Sequence, residues 1–354
     1  MDEKKRLQEL INLQNETLRK LTKDNLRKVG SDLFGDNEET LTPPPGFPKV
    51  PDIFASDEEK KDARTKQENK APEKEPIEKL QEELHSYIGL DSIKKEVDNL
   101  INLVTVYNLR KQHELPNEDL SLHMVFTGNP GTGKTMVARL MSRIYHSLGI
   151  LSKGHLVEVD RSGLVAGFVG QTAIKTSEVI EKALGGVLFI DEAYALSTRG
   201  QQDYGQEAIE TLLKRMEDHR DDLVVIVAGY TDLMDDFIHS NPGLSSRFNR
   251  YMEFPDYTVD ELKQIFLMRA KKAGYELSGK ADMLLPTVIE RALKDKGEDF
   301  GNARGARNLF EQAIANQANR LSKLESVTKE QLMTLLCQDL PYVKAPEELE
   351  DALA

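Results

Sequence analysis

The sequence predicts an α/β fold: a five-stranded parallel sheet covered on both faces, followed by a small helical domain. Three observations carry this. Five short apolar runs alternate with amphipathic helical stretches between residues 77 and 256. The strand signal stops after Pro255. The first apolar run passes directly into a glycine-rich loop and then a helix.

The elements follow in chain order. Residues 2–29 place Leu7, Leu10, Ile11, Leu18 and Leu21 near helical spacing among Lys, Glu and Gln, with Gly30 as a stop, so 1–30 is expected to be an amphipathic or coiled-coil helix. Residues 31–76 are the expected linker, in which TPPPGFPKVPDIF (42–54) is semi-rigid and the charged run at 56–76 is expected to stay disordered. HMVFTG (123–128), HLVEVD (155–160), GVLFID (186–191), LVVIVAG (223–229) and YMEF (251–254) are the five expected strands, within a domain of 77–256. Thr258 with Glu261 forms a capping box, and its helix should run to about Ala273 before Gly274. Thr328 with Gln331 repeats that signature, so 257–345 is expected to be all-helical, with 346–354 as a tail.

Composition narrows the function. The chain has 354 residues with 47 Lys+Arg against 60 Asp+Glu, a net charge of −13. Such a balance disfavours general binding to nucleic acid or to an anionic membrane. No apolar run is long enough to span a bilayer and MDEKKR opens no signal-peptide core, so a cytosolic protein is expected. The single cysteine, Cys337, excludes an internal disulfide or a cysteine-built zinc site, and its place in LMTLLC suits a core thiol.

The chemistry begins at GNPGTGKT. Gly128, Gly133, Lys134 and Thr135 satisfy G-x-x-x-x-G-K-[ST] between a strand and a helix, the context a P-loop requires. The loop residues Asn129, Pro130, Gly131, Thr132 and Gly133 can wrap phosphates at a helix N-terminus, all but Pro130 offering a backbone N–H. Lys134 would reach the β- and γ-phosphates and Thr135 would ligate Mg²⁺, which makes ATP and Mg²⁺ the expected cofactors. In VLFIDE (187–192), Asp191 and Glu192 emerge at the end of a buried strand. Asp191 would hold Mg²⁺ partly through water, and Glu192 is the candidate general base, so hydrolysis of ATP to ADP and phosphate is expected. A D-x-x-G match at 160–163 stands without any N-K-x-D guanine signature, which disfavours GTP.

Beyond these motifs the sequence resembles the AAA+ ATPases, and within them the CbxX/CfqX family, which includes sporulation stage V protein K and the red-type Rubisco activase. The resemblance covers about Leu84 to Leu340 and runs through HMVFTGNPGTGKT, LVAGFVGQTAIKT, ALGGVLFIDEAYAL, LLKRMEDHRDDLVVIVAGY, NPGLSSRFNRY and FGNARGARNLFEQAIANQANRL in that order. It implies a P-loop NTPase domain with a helical lid, a homo-oligomeric ring, usually hexameric, and remodelling of a protein substrate. By this resemblance Ile88 and Gly89 would lie against adenine, and Arg247, ahead of Arg250, would be an arginine finger reaching a neighbour's γ-phosphate. Arg304, with Arg307 in reserve, would be sensor 2. Sensor 1 departs from the usual Asn: the fourth strand ends in AGYTD, leaving Thr231 closest to the role and Tyr230 beside it. Phe168 and Val169, framed by Gly167 and Gly170, resemble a pore loop that grips substrate, and Tyr204 would belong to a second one. A rival reading is a nucleotide-switched scaffold that binds partners through its N-terminal helix without threading.

Overall fold

The computed structural model describes residues 74–117, 120–168, 170–197 and 204–343. The expected N-terminal helix, the linker through residue 73, Val169 and the tail lie outside the described residues. Two helices, α1 (Ile77–Ser86) and α2 (Asp91–Gln112), precede β1 (Met124–Gly128) and α3 (Lys134–Ser147). Then come β2 (Leu156–Val159), α4 (Arg161–Leu164), α5 (Thr172–Ala183), β3 (Val187–Ile190), α6 (Gly205–Asp218) and β4 (Val224–Gly229). The domain closes with α7 (Thr231–His239), α8 (Pro242–Arg247) and β5 (Arg250–Phe254).

The five strands form one parallel sheet in the order β2-β3-β4-β1-β5. In the three inner strands the side chains alternate between two cores, as the two-residue period of a strand demands, whereas β5 buries only Met252 and Phe254 on one face. Met124, Phe126, Phe189 and Ile226 pack with Leu84, Ile93, Val97 and Met141 of α1 to α3. Val125, Leu188, Ile190 and Val227 pack on the other face with Ile180, Ile209, Leu212 and Phe237 of α5 to α7. Burial on both faces explains why these strands are near-continuous apolar runs. Each such side chain contributes roughly 1.5–3 kcal/mol by leaving water.

The helical domain contains α9 (Val259–Lys272), α10 (Gly279–Lys296), α11 (Ala303–Leu321) and α12 (Lys329–Met333) around Leu262, Phe266, Leu285, Ile289 and Phe310. Both expected capping boxes are present, on Thr258 with Glu261 and on Thr328 with Gln331. Cys337 is buried in this core, and burial pushes its thiol pKa up. The domain is not wholly helical: β6 (Glu276–Leu277) pairs in parallel with β7 (Thr334–Leu335). Two-residue strands carry no readable period, so the sequence pattern passes over them. Among the described residues, no helix is long and apolar enough to cross a membrane.

Candidate active site

β1 delivers Gly128 to the carboxyl edge of the sheet, beside the end of β4 and of β5. The chain then turns through Gly131 (φ +76°) and Gly133 (φ +103°) into α3, conformations that side chains with a Cβ rarely adopt. Gly128 (φ +133°) also lies so close to the Phe254 carbonyl that a Cβ would collide with it. The N-terminus of α3 therefore faces a cavity of about 240 Å³ at the strand ends. Lys134, Thr135, Asp191, Glu192, Tyr230 and Arg304 are among the side chains lining it.

Lys134 Nζ donates to the carbonyls of Gly128 (2.7 Å) and Asn129 (2.8 Å). Burial pulls its pKa below the ordinary lysine value, with the carboxylates of Asp191, Asp256 and Glu192 opposing that pull and Arg304 reinforcing it. Glu192 sits at φ +49°, an uncommon conformation for a residue with a side chain, and its N–H donates to Asp191 Oδ1 at 3.1 Å. Such a conformation costs of order 1–3 kcal/mol and persists where the surroundings impose it. Both carboxylates line the cavity just beyond the end of β3.

The donor set fits a metal that arrives with a nucleotide. Among the described residues no three His, Cys, Asp or Glu side chains converge on a metal position. Thr135 and Asp191 offer two oxygen donors, as befits Mg²⁺, which takes its remaining ligands from phosphates and water. When bound, Mg·ATP would supply the scissile γ-phosphoryl bond. A carboxylate such as Glu192 at this wall could then accept a proton from an attacking water, and Lys134 with the α3 N-terminus could hold negative charge.

Several expected residues lie outside the lining of this cavity. Arg307 pairs with Glu311 on the exposed face of α11 (2.6 Å) and does not line the cavity, whereas Arg304, one turn earlier, does. Thr231 opens α7, exposed and outside the cavity lining; Tyr230 takes the place at the wall, its ring 6.1 Å from that of Tyr194. Ile88 packs on the helical domain, and Gly89 (φ +63°) faces the Glu261 carboxylate and the Tyr257 ring. Arg247 and Arg250 stand at the opposite end of the sheet, where Arg250 pairs with Met124. Arg247 bonds Glu217 at 3.1 Å and Arg250 donates to the Ser121 carbonyl at 2.9 Å. Four strand rises, roughly 13 Å, separate them from the edge that carries Lys134.

The D-x-x-G match is a helix cap: Asp160 Oδ1 accepts from the Ser162 hydroxyl (2.6 Å) and the Gly163 N–H (3.1 Å), and these bonds lower its pKa. Phe168 is 72% exposed. Below it, Lys175 Nζ holds the carbonyls of Ser162 and Val165, and the buried Thr176 hydroxyl holds that of Leu164. Tyr204 is half-buried at the start of α6. Asp256 and Tyr257, which no motif marks, and Asn302, to which the resemblance assigns no role, bond the loop at 129–132.

Comparison with known proteins agrees with this geometry. Residues 124–256 match the ATPase family associated with various cellular activities (AAA), and residues 258–351 match the AAA lid domain. The chain is 45% identical over 269 residues to the CfxQ homolog of Galdieria sulphuraria, covering 75% of this chain and 87% of that one. It is 40% identical over 265 residues to stage V sporulation protein K of Bacillus subtilis, covering 75% and 82%. Over 249 residues it is 47% identical to protein CbbX of Cereibacter sphaeroides, covering 70% and 79%. A P-loop and an acidic pair at one sheet edge, beneath a helical domain and with kinship of this extent, place the chain in the CbxX/CfxQ-type AAA+ ATPases, enzymes that hydrolyse ATP.

Proposed function

We infer that this ATPase forms a homo-oligomeric ring, a hexamer, and spends ATP pulling on a polypeptide. The exposed ring of Phe168 carries this reading. A phenylalanine held in water at the tip of a loop framed by Gly167 and Gly170, on a base fixed by Lys175 and Thr176, is costly unless it grips something. An aromatic face grips many sequences alike, which suits a motor more than a selective binder. The substrate is therefore an extended or unfolding protein segment. Relatives named Rubisco activase share the engine, and nothing in the described residues selects that client.

The arginines support assembly. At the far end of the sheet from Lys134, Arg247 is out of reach of its own chain's phosphate site, so a role as a finger requires a neighbouring copy. ATP and Mg²⁺ sit at Lys134, Thr135 and Asp191, Glu192 acts as base, and Arg304 reads the γ-phosphate from the helical domain. The experiment is Phe168→Ala, assayed for basal ATPase and for ATPase stimulated by unfolded casein. Basal turnover should stay within about twofold while stimulation is lost. Equal loss of both contradicts the grip.

A further inference from the structure

The phosphate loop and the helical domain are joined by polar contacts made by Asp256, Tyr257 and Asn302, which do not line the cavity themselves. Asp256 lies in the turn between β5 and α9. Its carboxylate accepts from Asn129 Nδ2 at 3.0 Å on both oxygens and from Asn302 Nδ2 at 2.8 Å. Asn302 Nδ2 also approaches the Pro130 carbonyl (3.4 Å), and Asn302 Oδ1 accepts the Tyr257 N–H (3.0 Å). The Ala303 N–H donates to the Gly131 carbonyl and the Tyr257 hydroxyl to the Thr132 carbonyl, each at 3.2 Å. Four consecutive loop residues, 129 to 132, are thus each bonded to the turn after β5 or to the start of α11.

The backbone around this junction is constrained as well. Asn302 is 8% exposed with φ +53° and ψ −124°, a conformation that a non-glycine residue keeps only where its surroundings hold it. A Cβ on Gly131 would strike the Gly301 carbonyl, so loop and helical domain touch backbone to backbone.

We propose that Asp256 and Asn302 are positioning residues, a latch that ties the phosphate loop to the first turn of α11 and transmits nucleotide binding to Arg304. Arg304 lies in the first turn of α11, two residues beyond the N-cap Asn302, so any shift of the loop on closing around phosphates moves its guanidinium and α11 together. Asp256 is suited to the centre of the latch because a carboxylate accepts from both amides at once, whereas an amide at that position must turn a donor toward one of them. The proposal rests on Lys134 and its loop binding nucleotide, and not on the role given to Arg304.

Hydrogen exchange of the full chain with and without Mg·ADP tests it, since ADP lacks the phosphate that Arg304 would read. In the wild type, ADP should slow exchange in both 129–135 and 300–306. In Asp256→Asn, and in Asn302→Gly, which keeps the positive-φ backbone, the response at 129–135 should remain and that at 300–306 should fall at least about fivefold. The exchanged pair D256N/N302D restores one amide-to-carboxylate bond and should recover part of it. Steady-state turnover should fall about tenfold in D256N, with KM changed by less than about threefold. A full response at 300–306 in both single variants overturns the proposal, as does a raised KM at unchanged kcat. Absence of any ADP response in the wild type overturns the nucleotide site and the latch with it.

Discussion

At the residue scale the site divides by the range of its contacts. Lys134, Thr135, Asp191 and Glu192 were legible in the sequence because each is fixed by a strand end within a few residues. Asp256 and Asn302 were not, because their partners lie 127 and 46 residues away in the chain and no local pattern marks them. The choice between Arg304 and Arg307 likewise needed three dimensions: both open the same helix, and only the fold shows which side meets the cavity. Glu192→Gln removes the base and keeps the shape, so nucleotide affinity should be preserved while turnover drops by about 10²–10⁴ in a single-turnover assay.

A second residue-scale prediction concerns His123, buried under the sheet with Nδ1 accepting the Val225 N–H at 3.0 Å. Burial, aided by the charge of Arg247, pushes its pKa down to about 4. Between pH 6.5 and 4 the unfolded chain therefore binds a proton that the native state refuses. Stability should fall as pH is lowered through that window, by up to about 3 kcal/mol from this residue. In His123→Asn, whose Oδ1 can take the same N–H, denaturant midpoints should lose that part of their pH dependence.

At the element scale, β1, β3 and β4 were legible from apolar runs that both sheet faces bury, the edge strands β2 and β5 from shorter runs broken by Glu158 and Glu253, and the α9 boundary from its capping box. The β6–β7 pair was not, since its register is set by packing between segments nearly sixty residues apart. Thr258→Ala should cost about 1 kcal/mol in chemical denaturation, the usual value of a lost cap. The Phe168 loop illustrates a different limit. Its glycine frame could be read in sequence, but its anchorage by Lys175 and Thr176 could not, because one turn of α5 reaches back to carbonyls 10 to 13 residues earlier. Thr176→Val should therefore weaken casein stimulation while leaving ATP affinity unchanged, as measured by nucleotide titration.

At the scale of the whole molecule, the parallel register of β1 with β5 places the phosphate loop and Arg247 with Arg250 at opposite ends of the sheet. Under the proposed reading, Lys134→Ala and Arg247→Ala should each be nearly inactive alone, a finger being worth about 10³ or more in rate, and should regain turnover when mixed. The most direct measurement of assembly is the light-scattering mass of the Glu192→Gln protein with and without Mg·ATP. The account predicts a nucleotide-dependent shift to about six protomers; a mass that stays at monomer or dimer in both conditions would contradict it.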